Sequence, residues 1–234
     1  MRTRLVLSLL SIVSCRSGTS GASAPAGAEG PESWQQSFAV NTADLGPSGT
    51  STYVDLRPGA VSVFRDGDEQ LTITVLDETR VVDGVTTRIV EEREEEHGQP
   101  IEISRNYFAI DLATKDVYYF GEDVDVFTDG RLTGHPGVWH SGSKEARFGL
   151  ALPGEPRLGE RYYQELAPGV AMDRGEIVGL DETVKTPAGT FEHCLHVRET
   201  TPLEADVGHK WYAPGIGLVK DDGCVLVSHV GPAH

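Results

Sequence analysis

Hydrophobic and polar residues alternate with a period of two along much of the chain. In EQLTITVLDE, Leu71, Ile73 and Val75 share one side of an extended strand, and Gln70, Thr72 and Thr74 share the other. GVTTRIVEER, PIEISRNYFAIDL and DVYYFGEDVDVF follow, each rich in the β-branched and aromatic residues that suit a pleated, half-buried surface. Asp-Gly recurs at 66–67, 83–84, 129–130 and 222–223, and His97-Gly98 has the same form. Such pairs tolerate the two positive φ angles of a two-residue hairpin turn. The pattern predicts an all-β domain: a curled antiparallel meander that forms a barrel or an open cup, with no long helix. Residues 135–165, broken by Pro and Gly, predict loops and short strands that cover the meander. VAMDRGEIVGL, TVKTPAGTFEHCLHVRET, GHKWYAPGIGLVK and CVLVSHV then return to strands, with a tight turn at Pro187-Ala188-Gly189.

The amino-terminal pattern is different. Arg2 and Arg4 precede an apolar run from Leu5 to Val13 that is too short to span a bilayer, followed by Ile12-Val13-Ser14-Cys15. This predicts residues 1–14 as a lipoprotein signal peptide and Cys15 as the lipidated first residue of the mature chain. Residues 15–37, dominated by Gly, Ala, Ser and Pro, predict a flexible tether, and 38–234 a single β domain. The implied location is the bacterial cell envelope, facing the periplasm or the outside, with the lipid bilayer as a partner through Cys15. Net charge is −16, and −18 once Arg2 and Arg4 leave with the leader, which argues against nucleic acid as a partner. Acid is concentrated in EEREEEHG, Glu91 to Gly98, which reads as the solvated end of a strand pair.

The segments YVDLRPG, YYFGEDVD, QELAPGVAMD, VKTPAGTF and KWYAPGIGLVK, in this order, resemble a group of uncharacterised secreted β-rich bacterial proteins and lipoproteins. The chain departs from that group at Thr52-Tyr53-Val54-Asp55-Leu56, where members often read Asn-Pro-Tyr before Pro-Leu. The resemblance implies a β-rich fold and an exported location. It implies no catalytic residue.

Candidate chemistry centres on YYFGEDVDVFTDG. Strict alternation puts Glu122 on one face with Tyr118, Phe120, Val124 and Val126, and Asp123 and Asp125 on the other. With a turn at Thr114-Lys115, Glu122 lies opposite Tyr107 and diagonal to Arg105. The expectations are then a Glu122–Arg105 pair, or Glu122, Arg105 and Tyr107 lining a ligand site. The switch of apolar positions from Ile101 and Ile103 to Phe108 and Ile110 predicts a bulge near Arg105 and Asn106. Asp123 and Asp125, with His135 and His140, are the candidate ligands of a divalent cation as cofactor. Ser141 and Lys144 fit a serine–lysine spacing that requires a helix. Cys194 and Cys224 form a candidate disulfide, and Cys194 with His196 a candidate thiolate–imidazole site. The leading functional expectation is a non-enzymatic binding module for a small or apolar ligand. The alternatives are a divalent-cation binding protein and a hydrolase working through the 135–144 loop.

Overall fold

The computed structural model describes residues 34–232, and the predicted leader, Cys15 and most of the tether lie outside them. Among the described residues, sixteen strands follow one another. The first eight are β1 (Leu45–Gly46), β2 (Val61–Asp66), β3 (Glu69–Val82), β4 (Val85–Glu96), β5 (Gln99–Asp111), β6 (Val117–Thr128), β7 (Arg131–Gly134) and β8 (Trp139–His140). The rest are β9 (Arg147–Leu152), β10 (Arg161–Tyr163), β11 (Glu165–Leu166), β12 (Arg174–Thr186), β13 (Gly189–Thr200), β14 (Val207–Ala213), β15 (Gly217–Asp221) and β16 (Cys224–Val230). Among the described residues, helical structure amounts to one 3-10 turn, Thr42–Asp44.

Thirteen of the strands form one antiparallel sheet, in the order β10-β12-β13-β14-β15-β16-β2-β3-β4-β5-β6-β9-β11, nearly closed into a barrel. The run from Arg161 to Leu166 brings the sheet ends together. Its first half pairs with β12 as β10, and its second half pairs with β9 as β11. Gln164, at the change of partner, donates its N–H to the carbonyl of Asp173 and its side-chain amide to Glu199 Oε1 at 2.9 Å. The close approach explains Gly149 on β9, where a Cβ would stand 2.4 Å from the Gln164 backbone.

The hairpin turns fall where the Asp-Gly and His-Gly pairs predict. Asp83, His97, Asp129 and Asp222 have positive φ, and at the first hairpin the turn is shifted by one residue to Gly67-Asp68. The packed domain begins before the predicted boundary. Trp34 is buried against Tyr163, Leu166 and Met172, its ring lying 4.4 Å from the Arg174 guanidinium, and Gln35 pairs with Tyr162.

Register partners on adjacent strands point to the same face, so the barrel lining follows from the pairing. One row runs Phe64, Leu71, Glu94, Glu102, Val126, the next Ser62, Ile73, Glu92, Ser104, Val124, and a third Val75, Val90, Asn106, Glu122. On β5, therefore, Glu102, Ser104, Asn106, Phe108 and Ile110 all face inward without interruption, while Ile101 and Ile103 point outward and are half-buried. The predicted switch of faces on β5 does not occur, because the polar residues Glu102, Ser104 and Asn106 occupy inward positions.

The irregularity sits on the partner strand. Between the pairs Asn106–Glu122 and Phe108–Tyr119, β6 advances one residue further than β5, with Gly121 at φ 133°. A Cβ at Gly121 would stand 2.3 Å from the Trp139 carbonyl oxygen, so only glycine admits β8 at this distance. Gly121→Ala should therefore lower stability by about 1–3 kcal/mol, the usual cost of a strained backbone position. Urea unfolding checks this, with a shift in midpoint at unchanged slope as the expected result.

Candidate ligand cavity and its acidic floor

A cavity of about 170 Å³ lies within the barrel. Its walls are apolar, formed by Ala60, Ile73, Val75, Val90, Phe108, Val117, Ala151 and Leu152, with Tyr212 and Leu218 from the opposite side. Residues Tyr53 to Leu56 contribute further lining, as do Ser62 and His229, whose Oγ and Nδ1 lie 2.9 Å apart. Burial pushes the His229 imidazole down, against a smaller upward pull from Asp55, so neutral imidazole is favoured. Ser62 and His229 are direct register partners on β2 and β16, and nothing in their sequence spacing signals the pairing.

Two ionisable groups, Glu92 and Lys210, also line the cavity. Behind them the interior is strongly acidic. Glu102, Glu122, Glu165, Asp173, Glu199 and Asp221 are all buried, and Glu94 packs beside Glu102 as its register partner. Lys210 acts on Glu92, Asp173 and Asp221, and its Nζ lies 2.7 Å from Glu199 Oε2. Burial alone would push the Lys210 ammonium down, but Glu199 and Asp221 more than offset it, and its pKa stands well above that of a free lysine.

The acids move the other way. Burial raises Glu102 to about 9, with help from Glu94 and Glu122, and raises Glu94 to about 7. Burial likewise raises Asp221 to about 7, against the pull of Lys210, and Asp173 to about 8, where Glu199 adds to the rise. Glu92 and Glu165 are pushed up well above the usual carboxylate range by burial. The interior therefore stores protons near neutral pH.

The residues singled out in the sequence divide between the two sides of the wall. Glu122, fully buried, faces the interior opposite Asn106. Tyr107 and Arg105 face outward, so the predicted Glu122–Arg105 pair is not formed. The loop between β5 and β6 is Leu112 to Lys115, which shifts the pairing by two residues from that of a turn at Thr114-Lys115, and the extra residue at Gly121 takes one of them back. Arg105 instead contacts Glu91 at 3.0 Å and Asp125 at 3.8 Å. The bulge also divides the aromatic residues, with Tyr119 inward beside Trp139 and Tyr118 and Phe120 outward against Phe148.

Asp123 is a hub on the outer face. It accepts from Arg80 at 2.5 Å and from the Tyr107 hydroxyl at 2.7 Å, and lies 2.9 Å from His140 Nε2. These hydrogen bonds outweigh partial burial and hold its carboxyl below the usual range. Asp125 pairs separately with His135 at 2.8 Å. Among the described residues, no group of three or more His, Cys, Asp or Glu side chains is arranged to hold a metal ion.

The 135–144 loop forms β8 and a turn, not the helix that a serine–lysine pair requires, and Lys144 has positive φ. Ser141 is buried; its hydroxyl donates to Asp83 at 2.8 Å and accepts from the Phe148 N–H at 3.0 Å. Cys194 and Cys224 are buried free thiols in one apolar cluster, correcting the expected disulfide; their strands β13 and β16 have β14 and β15 between them. His196 is not joined to Cys194. It bonds to Glu182 and His209, each at 2.8 Å, and stacks on Trp211.

No family model and no curated protein matches the chain. Among solved structures it is similar to one described as "a putative lipoprotein from Parabacteroides distasonis ATCC 8503", at 14% identity and a TM-score of 0.40, over 78% of this chain and all of that one. A likeness this distant constrains neither mechanism nor ligand.

Two outcomes follow from the interior charges. A carboxyl group that is raised on folding binds its proton more tightly in the folded state. Its contribution is fully present below its unfolded pKa and is lost as pH rises through the folded value. With Glu94, Asp221, Asp173 and Glu102 at about 7 to 9, the melting temperature should fall steadily between about pH 5 and pH 9. Asp55, Asp123, Glu176 and Glu182 are lowered and oppose this only at acid pH. Calorimetry across that range checks the slope, which Glu102→Gln should flatten at its upper end. Lys210→Met should cost about 3–5 kcal/mol at neutral pH by stranding Glu199, with partial recovery in the Lys210→Met/Glu199→Gln double variant.

Proposed function

We propose that this protein is an exported, lipid-anchored binding protein that takes a small, mostly apolar ligand into its barrel. The cavity carries the reading: about 170 Å³ of space with apolar walls inside a nearly closed barrel, where close packing is the rule. Apolar cavities of roughly 150 Å³ stay dry and bind benzene, which sets the size class of the ligand. The acidic interior agrees with a binding role, since burying this many carboxyl groups costs stability that a purely structural barrel would gain by filling the same positions with apolar side chains.

The envelope location rests on the amino-terminal pattern ending at Cys15, together with the resemblance in the YYFGEDVD and KWYAPGIGLVK segments. The anchor is tested by labelling cells with radioactive palmitate. The wild-type chain should incorporate label and sediment with membranes, and Cys15→Ser should do neither.

The cavity is tested with toluene as a probe. Toluene should raise the melting temperature of the purified domain, and Val75→Phe, which fills the space from one wall, should reduce its affinity at least tenfold. A wild-type domain that takes up no toluene would count against the reading.

A further inference from the structure

The lining of the cavity is uneven in one respect that bears on the ligand. Glu92 is 6% exposed and borders the cavity, and its Oε2 has no hydrogen-bond partner among the described residues. A buried carboxyl oxygen without a partner is costly, and native proteins rarely leave one unless something else completes it. Its register neighbours, Ile73 on β3 and Ser104 on β5, face the same way without bonding it. The charged groups that act on it are Lys210 from β14, Asp221 from β15, Glu122 from β6 and Glu94 from its own strand. Lys210 is already held by Glu199.

We propose that the cavity binds a small apolar primary amine, with its hydrocarbon body against the apolar walls and its ammonium group on the Glu92 carboxylate. The assignment rests on the cavity being a ligand site, and names the class of head group. Three observations favour a cation over an anion or an uncharged head. The incompletely bonded group at the cavity edge is an acid. The acids behind it outnumber their cation, so an entering positive charge can be balanced by loss of a carboxyl proton, whereas an entering negative charge cannot. The single ammonium present is already paired, leaving no free positive group to receive a carboxylate ligand.

The size follows from the volume. About 170 Å³ accommodates a ring or short chain of roughly six to eight heavy atoms. The proton balance is equally definite. Glu92 is protonated when the cavity is empty, because burial raises its pKa. An ammonium ion entering therefore displaces one proton, which leaves to solvent, and the carboxylate formed pairs with the amine. Affinity should rise up to tenfold per pH unit while Glu92 begins protonated and the amine remains charged.

Isothermal titration of the purified wild-type domain with toluene, benzyl alcohol, benzylamine and benzoate tests the assignment. Benzylamine should bind at least tenfold more tightly than toluene or benzyl alcohol, and benzoate more weakly than either. Repeating the benzylamine titration in two buffers of different ionisation enthalpy should reveal release of about one proton, a readout that needs no variant. Glu92→Gln should retain toluene and lose the preference for benzylamine. Toluene bound while benzylamine is no tighter, benzoate preferred, or no proton released would overturn the amine assignment and leave the cavity reading standing. Failure of toluene and every congener to bind would instead remove the cavity reading itself.

Discussion

The ion pair between Lys210 and Glu199 stands at the centre of the barrel, and the arrangement of the interior depends on it. The Lys210 ammonium acts on Glu92 on β4, Asp173 before β12 and Asp221 on β15, and the buried acids continue through Glu102 on β5, Glu122 on β6 and Glu165 on β11. In a low-dielectric interior they cannot all ionise at once. The lysine pairs with Glu199, and burial raises Glu92, Glu102, Glu165, Asp173 and Asp221 above the usual carboxylate range. Glu92 keeps an oxygen with no hydrogen-bond partner among the described residues, on a side chain that borders the cavity.

The outer face solves its charge problem by a different route. There the carboxylates are partly solvated and bonded, as at Asp123 with Arg80, Tyr107 and His140, or Glu176 held between Arg161 and Arg198. Their pKa values fall where the interior ones rise. Alternation along the strands sends Glu91 and Glu92, or Glu122 and Asp123, into these two environments although they are adjacent in the chain. Chemistry thus separates by strand face and not by sequence cluster.

Much of the fold is legible in the sequence. The strict alternation of Leu71, Ile73 and Val75 identifies β3 and its inward face, and the Asp-Gly and His-Gly pairs locate the hairpins because they tolerate positive φ. The candidate site is legible only in part. The reading of β5 failed because it equated inward with apolar. Ile101 and Ile103 draw attention to the wrong face, while Glu102, Ser104 and Asn106 line the barrel. Glu92 and Glu94 are hidden in an acidic run for a similar reason: a buried carboxyl and a solvated one look identical until the register is known. Glu122 lies opposite Asn106 and not Tyr107, a difference of one residue that the four-residue loop and the bulge at Gly121 together decide.

The sequence by itself determined the class of fold, because period-two alternation, turn dipeptides and the lack of helical periodicity are local properties that leave few alternatives to an antiparallel meander. Tertiary structure decided which carboxyl groups are inside, that Arg161 to Leu166 brings the sheet ends together, and that Lys210 meets Glu199. Those outcomes depend on pairing between residues far apart in the chain and on one bulge, where a shift of one residue exchanges the buried and solvated faces of a strand.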